Sequence, residues 1–378
     1  MTANISVGRA FPRAIHRLEA CATLTGPQAR ARESVGEGAE KKTLIASPQG
    51  RTRLDAYLAR ELAPEYSRSQ ILKAIKAGLV VLNQRTARAS EPVHVDDRIE
   101  FRVPAPPSPV PAKALAPDIE VLFEDSDIIF VNKPAGMAVH PSAGHPHSTL
   151  VDALVARFPG LSAVVELDGS WRAGIVHRLD MDTSGVMVVA RNSFARAALS
   201  DQFKQRTVEK IYVAMVAGHL SRDRLTIDKP IGRHQTERKR MSVRSRSGRE
   251  ALSEVRLIRR CTLTLLGGAT LPVSLVAVRP RTGRTHQIRV HLSSVGHPCL
   301  GDPLYGKQER GQLALGRQAL HAFYLAITHP RAGARLGLVA PIAADLQVAL
   351  AACGVDAQEI AAAVLSANAS GAWSATSG

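Results

Sequence analysis

The sequence predicts an α+β protein: a mostly antiparallel mixed sheet forms the main domain, and a small α/β module precedes it. Short apolar runs separated by turn residues indicate many strands, whereas only a few segments have the period of a helix. Neither the regular βαβ alternation of a doubly wound sheet nor an internal repeat is visible. A proline-rich stretch over 104–117 divides the 378-residue chain into two parts.

The composition limits the kinds of partner that the protein can have. Lys and Arg outnumber Asp and Glu by 49 to 33, giving a formal net charge of +16. Such an excess favours a polyanion, and nucleic acid before a membrane surface. The chain lacks an apolar run of about eighteen residues, so no membrane span is predicted. The four cysteines are far apart and form no C-x-x-C pair, so we expect neither a zinc knuckle nor a disulfide framework, as suits a reducing cytosol.

Residues 1–50 show no sustained apolar periodicity. They combine proline, glycine and alanine with scattered charges of both signs. We therefore expect a disordered extension. Its glutamates weaken the alternative of an organelle transit peptide, and the missing apolar core argues against a secretory signal.

Two helices and two strands are predicted within residues 51–103. R-L-D-A-Y-L-A-R-E-L places apolar residues on one helical face, and S-R-S-Q-I-L-K-A-I-K-A-G begins a second helix. Ser67 or Ser69 is a suitable N-cap for this second helix, and Gly78 a suitable residue beyond its end. L-V-V-L-N and D-D-R-I-E-F-R-V have the pattern of strands. The polar faces carry basic residues that include Arg68 and Lys73, a pattern that an ordinary solvated surface also shows.

Residues 118–355 form the larger predicted domain, and 356–378 a flexible tail. I-E-V-L-F-E-D and D-I-I-F-V-N-K-P-A-G predict strands, with a type II turn at K-P-A-G. Helices are predicted from Thr149 to Arg157 and from Ser193 to Arg206. G-R-T-H-Q lacks the G-K-[ST] ending of a nucleotide-binding loop, so no such loop is predicted.

A charged loop interrupts two predicted strands in G-I-V-H-R-L-D-M-D-T-S-G-V-M-V-V-A-R-N. Asp180 follows an arginine and is expected to lie partly buried beside a cation, which would keep its carboxylate ionised as a nucleophile or base. Asp182, Thr183 and Ser184 are better explained as bonding the backbone of a tight turn. Ser184 also lacks the first glycine of a G-x-S-x-G nucleophile elbow.

Two further segments are rich in polar residues. In R-T-G-R-T-H-Q-I-R-V-H-L, alternation predicts a strand that places Gln287, Arg289 and His291 on one face. Arg289 is either a satisfied structural arginine or the partner of a carboxylate such as Asp180. The histidine spacing is not that of a usual ligand set, so no metal is predicted. I-G-R-H-Q-T-E-R-K-R-M-S-V-R-S-R-S-G-R is strongly basic and favours a loop or hairpin that tracks phosphates of RNA or DNA.

These segments also resemble known families. R-L-D-x-x-L, S-R-S-Q-I, G-x-V-x-L-N and D-D-R-I, over about residues 51–103, resemble the α-L RNA-binding module. H-R-L-D-M-D-T-S-G-V-M-V-V-A-R, R-T-V-E-K-I-Y-V-A-M-V-A-G, R-T-G-R-T-H-Q-I-R-V-H-L and G-H-P-C-L-G-D-P-L-Y-G closely resemble the RluA-type RNA pseudouridine synthases. V-N-K-P-A-G-M-A-V-H-P and R-Q-A-L-H-A match as well, so the second resemblance runs from about Ile119 to Pro341.

The second resemblance implies a reaction and three catalytic residues. Uridine in RNA would be isomerised without a cofactor: its N–C1′ bond breaks, the uracil turns, and carbon 5 joins C1′. Asp180 matches the catalytic aspartate, which attacks C1′ or the base, or assists removal of a 2′ proton. Tyr212 matches the tyrosine proposed to stack beneath the uracil and to help take the carbon 5 proton. Arg289 matches the arginine that pairs with the aspartate.

The resemblance also implies substrate contacts. Arg178 matches the arginine that enters the space vacated by the flipped base, and we assign His177 beside it to substrate binding. Leu292 is expected to wall the uracil pocket, with Ile288 chiefly a core residue. Phosphate contacts are expected from Arg238, Lys239, Arg240, Arg68 and Lys73.

The expected substrate is 23S ribosomal RNA, because the module and R-H-Q-T-E-R-K-R-M-S-V most resemble the branch that acts on the large subunit. We expect a cytoplasmic monomer without membrane partners. The alternatives are a transfer-RNA pseudouridine synthase, a non-catalytic RNA-binding factor of ribosome assembly, and a hydrolase that releases uracil. A pure binder would have no reason to keep Asp180, Tyr212 and Arg289 together, and release of free uracil would identify the hydrolase.

Overall fold

A computed structural model describes most of the two predicted domains. The described residues are 5–6, 39–62, 68–104, 117–141, 144–145, 147–163, 173–237, 239–245, 247–265, 268–306, 315–369 and 373. The disorder predicted for 1–50 falls outside them at 1–4 and 7–38. The predicted linker lies outside them at 105–116, and so does the predicted tail at 370–372 and 374–378.

In the described part of the N-terminal module there are a four-stranded sheet and two helices. Its elements, after a two-residue strand β1 (Ile5–Ser6), are β2 (Ala39–Ile45), β3 (Thr52–Arg53), α1 (Leu54–Glu61), α2 (Arg68–Lys76), β4 (Val80–Leu82), β5 (Arg85–Thr86), β6 (Pro92–Val93) and β7 (Arg98–Pro104). The sheet order is β2-β7-β4-β5. Apolar side chains of α1 and α2, such as Leu58 and Ile71, pack on Ile99 and Phe101 of β7. Both predicted helices and both predicted strands are therefore confirmed.

Two details of the module differ from the prediction. β2 runs antiparallel to the whole of β7, so the expectation that residues 1–50 lie outside a folded unit is wrong for 39–45. An edge strand is held by backbone hydrogen bonds on one side, so the charged sequence A-E-K-K-T-L-I carries little side-chain signal for it. Of the predicted N-caps, Ser67 lies outside the described residues and Ser69 lies inside α2. Gly78 has a φ of 74°, as expected of the residue after a helix.

The larger domain contains eleven further strands and five helices among the described residues. They are β8 (Glu120–Glu124), β9 (Ile128–Lys133), α3 (Leu150–Arg157), β10 (Ser184–Ala190), α4 (Ser193–Gln205), β11 (Glu209–Ala217), β12 (Arg224–Asp228), β13 (Gly232–Arg233), β14 (Met241–Ser242), β15 (Leu252–Thr264), β16 (Thr270–Pro280), α5 (Gln287–Ser294), β17 (Leu320–Thr328), β18 (Arg335–Val339), α6 (Ala344–Ala351) and α7 (Ala357–Ala369). The helices predicted after Thr149 and from Ser193 are confirmed. Within the described residues, no helix has both the length and the apolar character to cross a bilayer.

The main sheet is mixed and mostly antiparallel, as predicted. Its order is β12-β15-β16-β11-β17-β10-β9-β8, with β18 also paired to β17 and β1 to β18. Among the described strands of this sheet, only the β10–β17 and β1–β18 pairs are parallel. β13 and β14 form a separate two-stranded hairpin within the basic segment.

Strand β11 separates two parts of the core. Because side chains alternate along a strand, Ile211 and Val213 pack in the cluster that includes α6 and α7. Ala214 packs with Ile288 of α5 on the opposite face, and Tyr212 lies partly buried against that second cluster. Tyr212 is thereby directed towards the side of the sheet that carries α5.

The strand predicted for H-Q-I-R-V-H-L is wrong, because these residues form the helix α5. All side chains from Gln287 to Leu292 are buried. A helix that is buried on every side lacks the polar face that would show a period of 3.6, so a short polar–apolar alternation was mistaken for a strand. The chain turns into the helix through His286, which adopts φ 55° and ψ 21°.

The C-terminal residues are also more ordered than predicted. Ile360 and Val364 of α7, together with Trp373, are fully buried in the cluster beneath β11, so a flexible tail is wrong for 357–369. Cys261 at the end of β15 and Cys353 after α6 are paired as a disulfide, contrary to the expectation from their spacing. Tertiary packing brings together residues 92 positions apart, which local sequence patterns do not reveal.

We expect α7 to contribute to stability. Ile360→Ala removes a fully buried side chain and should lower the free energy of unfolding by about 2 to 5 kcal/mol. Val348→Ala on α6, where the side chain is 64% exposed, serves as the control and should change it by less than about 0.5 kcal/mol. Urea denaturation of both variants measures the difference. Equal stabilities would show that α7 is dispensable.

Candidate active site

A cavity of about 720 Å³ opens where the 176–183 loop, β11, the 280–286 loop and the start of α5 meet. It is lined by five of the predicted site residues: His177, Arg178, Asp180, Tyr212 and Arg289. Residues 109 positions apart in the sequence, Asp180 and Arg289, are thus brought to one site.

The loop that carries Asp180 is a tight turn against β10. The strand predicted before it is only a single bridge between Ile175 and Val189. At the other end the Thr183 N–H donates to the Asp180 carbonyl at 3.1 Å. This turn fixes the backbone of Asp180, while its side chain remains 21% exposed to the cavity.

Thr183 and Ser184 bond differently from the prediction, because their hydroxyl groups are directed into the protein. The Ser184 hydroxyl lies 2.9 Å from Nδ1 of His321. The Gln318 amide donates to the Thr183 hydroxyl at 3.2 Å. All four side chains are buried, so these bonds anchor the loop to β17 and to the segment before it.

Arg289 holds the Asp180 carboxylate. Its Nη1 donates to Asp180 Oδ2 at 3.0 Å, which confirms the pairing predicted from sequence. Its Nε and Nη2 donate to the two carboxylate oxygens of Asp302 at 2.7 and 2.8 Å. Asp302 also accepts from the backbone N–H groups of Leu304 and Tyr305. The guanidinium is therefore fixed on one side by Asp302 and offers its remaining edge to Asp180.

Asp302 lies in the segment G-D-P-L-Y-G and is a site residue that the sequence does not predict. Burial alone would raise the pKa of Asp302, but the hydrogen bonds and charge of Arg289 hold it below its usual range. Burial would likewise lower the pKa of Arg289, and the two carboxylates raise it instead. Both groups of this buried pair are therefore ionised.

Gln287 is a second residue that sequence reasoning missed, since it was treated only as one face of a strand. Its side-chain oxygen accepts from the Thr282 hydroxyl at 2.7 Å and from the Arg284 N–H at 3.0 Å. Its amide nitrogen donates to the Leu252 carbonyl at 2.9 Å and to the Ser253 hydroxyl. This buried amide fixes the first turn of α5, and hence Arg289, against β15.

Tyr212 lies at the cavity with a protonated hydroxyl. Burial, and secondarily the negative charge of Asp180, raise the pKa of Tyr212 well above its usual value. The ring packs among apolar residues of two core clusters. The environment therefore favours a neutral phenol that offers its aromatic face and a hydrogen-bond donor.

His177 serves mainly to hold the loop. Its Nε2 accepts the Val188 N–H at 3.0 Å, and its ring stacks on Phe203 with 4.6 Å between centroids. Burial and the charge of Lys210 lower the pKa of His177 to about 3, so the ring is neutral. Arg178, by contrast, is exposed at the cavity.

The predicted wall of the pocket is corrected by the structure. Ile288 lines the cavity, whereas Leu292 is not among its lining residues and is buried in the cluster behind it. In a helix the residue four positions after Ile288 lies on the same face but one turn further along. The predicted strand placed Ile288 and Leu292 on one face, so it did not indicate that they lie at different depths.

The predicted phosphate-binding residues have different environments. Arg238 lies outside the described residues, and Lys239 is exposed. Arg240 pairs with Glu237 at 2.9 Å and lies over the ring of Tyr305. In the module, the guanidinium of Arg68 donates twice to the buried Asp55, and Lys73 is exposed on α2. The four of these residues that the structure describes, Lys239, Arg240, Arg68 and Lys73, do not line the cavity.

Other basic residues surround the cavity instead. Ten of its lining residues are Lys or Arg, and two are Asp or Glu. On one side of it Arg284 lies near Arg206 and Arg249. Burial lowers the pKa of Arg284, and the charges of these two arginines lower it further. The opening is therefore strongly electropositive and suited to a polyanion.

One group of possible metal ligands occurs among the described residues: Asp125, Asp127 and His329. Arg331 donates to both carboxylate oxygens of Asp127 at 2.7 Å. His329 lies 2.7 Å from Asp125. Ion pairs and hydrogen bonds within the protein thus already engage these ligand atoms, and the group does not line the cavity.

Comparison with known proteins gives two family matches. A model described as RNA pseudouridylate synthase matches residues 127–294, and an S4 domain model matches residues 52–99. The first match includes Asp180, Tyr212 and Arg289. The second covers most of the module that resembles the α-L domain.

Individual proteins are similar over most of the chain. An uncharacterized RNA pseudouridine synthase of Chloroflexus aurantiacus is 45% identical over 313 residues, which cover 82% of this chain and 93% of that protein. The ribosomal large subunit pseudouridine synthase D of Xanthomonas campestris is 41% identical and covers 85% and 95%. The solved structure of human RNA pseudouridylate synthase domain containing 1 is 30% identical, with a TM-score of 0.50 over 64% of this chain and 90% of that one.

Removing the charge of Asp302 should be strongly destabilising. Asp302→Asn leaves the buried Arg289 without its bidentate partner, so we expect a loss of about 3 to 5 kcal/mol in the free energy of unfolding. The pKa of Asp302 is lowered in the folded protein. The difference in free energy of unfolding between the wild type and Asp302→Asn should therefore be fully present above about pH 4 and should shrink as the pH falls further.

Denaturant unfolding at several pH values measures this effect. Glu237→Gln is the control, since its ion pair with Arg240 is largely exposed and should contribute at most about 1 kcal/mol. An Asp302→Asn variant no less stable than this control would contradict the assigned role.

Proposed function

Because the chain belongs to the RNA pseudouridylate synthase family, we propose that it isomerises uridine in large-subunit ribosomal RNA with Asp180 as the catalytic carboxylate. One observation carries the assignment of Asp180. Its carboxylate is held at 3.0 Å by a fixed arginine, beside Tyr212, at the wall of an electropositive cavity. A relative named ribosomal large subunit pseudouridine synthase D, 41% identical, supports the choice of RNA.

The geometry suits a carboxylate with one oxygen held and one available. Arg289 bonds Oδ2 of Asp180, and Oδ1 is left for the substrate. That oxygen can attack C1′ or the base, or take a 2′ proton. In each route the N–C1′ bond breaks, carbon 5 bonds to C1′ and releases its proton to solvent, and the freed base nitrogen gains a proton. The hydrogen bond from Arg289 fixes the orientation of the carboxylate.

Tyr212 and Arg178 would handle the flipped nucleotide. The raised pKa of Tyr212 makes it a poor base in the free enzyme, so we assign it chiefly to stacking beneath the uracil. The exposed Arg178 would fill the space that the base leaves in the RNA, which reduces the cost of unstacking. Ile288, which lines the cavity, replaces Leu292 as the apolar wall.

The basic residues around the cavity would bind the backbone on both sides of the target. Arg284 and its neighbours Arg206 and Arg249 are placed for phosphate contacts, with the S4 module and Lys239 as additional RNA-binding surfaces. We propose that the protein works as a monomer in the cytoplasm, where ribosomal RNA is assembled into subunits. A transfer-RNA substrate and a purely binding role are the alternatives that the experiment below separates.

Replacing the carboxylate should abolish pseudouridine formation. In cells that carry Asp180→Asn, or a deletion of the gene, the same carbodiimide adduct stops should vanish from 23S ribosomal RNA. Asp182→Asn is the matched control, because the carbonyl of Asp182, which accepts from Arg317, is retained in that variant. It should keep every stop.

Each other result has a distinct meaning. A stop that the deletion removes but Asp180→Asn retains would show that Asp180 is not catalytic. Stops that survive both changes would exclude ribosomal RNA as the substrate, and the same mapping on transfer RNA would then test the first alternative. Free uracil in a product assay would indicate hydrolysis.

Loss of a phosphate contact should reduce the salt dependence of RNA binding. Arg284→Gln should weaken binding and lower the slope of log affinity against log salt concentration by about 0.7 to 0.9. Arg222→Gln is the control, because Arg222 is exposed and does not line the cavity. Filter binding of a 23S transcript over a salt series measures both, and an unchanged slope for Arg284→Gln would argue against this contact.

A further inference from the structure

His286 lies next to the candidate catalytic carboxylate and has no role in the proposed reaction. It precedes α5 in the left-handed conformation, and its side chain is 17% exposed at the cavity. Its Nε2 lies 4.0 Å from Oδ2 of Asp180. Its other ring nitrogen, Nδ1, lies 2.9 Å from the hydroxyl oxygen of Tyr305.

The hydrogen bonds of Tyr305 determine which nitrogen of His286 carries the proton. The backbone N–H of Met241, on the basic hairpin, donates to the Tyr305 oxygen at 2.8 Å. Burial raises the pKa of Tyr305, so its hydroxyl keeps its proton. Because that oxygen already accepts from Met241, its own proton is best used by donation to Nδ1 of His286. Nδ1 is then the acceptor, and Nε2 carries the hydrogen.

The imidazole is neutral in this arrangement. Burial lowers the pKa of His286, and Arg289 and Arg178 act in the same direction, against the opposing charges of Asp180 and Asp302. Protonation would also place a hydrogen on Nδ1, where the Tyr305 hydroxyl already points its own. His286 is therefore a fixed hydrogen-bond donor facing the carboxylate, rather than a titrating base.

We propose that His286 is a positioning residue whose Nε2–H, together with Arg289, holds Oδ2 of Asp180 and so directs Oδ1 towards the substrate. The present 4.0 Å separation is about 1 Å longer than a hydrogen bond, and such contacts commonly tighten when the substrate binds. The inference rests on the proposed function, in which the carboxylate of Asp180 is the group that reacts. Tyr305 supports it by fixing the tautomer, and the ring of Tyr305 also lies under the guanidinium of Arg289.

Two substitutions separate the two ring nitrogens. The amide nitrogen of Gln reaches the position of Nε2, whereas that of Asn reaches only the position of Nδ1. We expect His286→Gln to keep the single-turnover rate within about fivefold and His286→Asn to lower it by about 10- to 100-fold, with the affinity for RNA unchanged. Strain in the backbone at position 286 would favour Asn over Gln, because Asn tolerates the left-handed conformation better. Backbone strain therefore predicts the opposite order of rates.

The rates are measured as tritium release from a 23S transcript that carries uridine tritiated at carbon 5. Equal losses in both variants, or a wild-type rate for His286→Asn, would overturn the proposal. So would an acid limb near pH 6.5 in the wild-type profile that His286→Gln removes, because it would make His286 a titrating base.

A second measurement does not depend on activity. Nitrogen NMR of the full chain labelled at histidine should show the Nε2–H tautomer for His286, assigned by the signal that His286→Gln removes. Tyr305→Phe should shift this signal towards a mixture of tautomers. An imidazolium or an Nδ1–H tautomer in the wild type would overturn the proposal. Absence of tritium release from the wild type, with the expected tautomer present, would instead contradict the proposed ribosomal substrate.

Discussion

The buried ion pair between Arg289 and Asp302 determines the geometry of the site. Its two charges are almost completely removed from water, and such pairs contribute little net stability because desolvation opposes their attraction. What the pair provides is orientation: two hydrogen bonds to Asp302 leave a single N–H edge of the guanidinium directed at Asp180. The carboxylate of Asp180 is thus positioned, through Arg289, by Asp302, which lies 122 positions away in the sequence.

The main sheet supports this arrangement from both faces. Because side chains alternate along β11, Ile211 and Val213 pack against α6 and α7, whereas Tyr212 lies on the face that carries α5. The helix that carries Arg289 packs on the second face, where the amide of Gln287 ties its first turn to β15. The cavity therefore lies beside the core, and Tyr212 and Arg289 reach it from a packed strand and a packed helix.

Local patterns predicted some of these features and missed others for identifiable reasons. An aspartate after an arginine, between apolar segments, was enough to propose Asp180 as a partly buried carboxylate beside a cation. The same patterns left Arg289 as either a structural arginine or the partner of Asp180, and only the family resemblance implied the pairing. Alternation failed for α5, because a helix buried on all sides shows no polar face. The roles of Asp302 and Gln287, and the disulfide between Cys261 and Cys353, depend on which distant segments meet, and nothing in the spacing of the sequence records that.

The protonation states of the lining residues indicate which of them can act as a nucleophile or a base. Burial keeps the rings of His177 and His286 neutral and keeps the proton on Tyr212. The charged groups that remain are arginines and lysines, which donate hydrogen bonds, and the carboxylates of Asp180 and Glu209 among the lining residues. Glu209 lies 3.8 and 3.5 Å from Arg279 and Arg335, so its charge is balanced by its own partners. Asp180 differs in that it pairs with a single arginine, Arg289, which Asp302 holds through two buried hydrogen bonds, and this difference supports the proposal that Asp180 attacks or takes a proton.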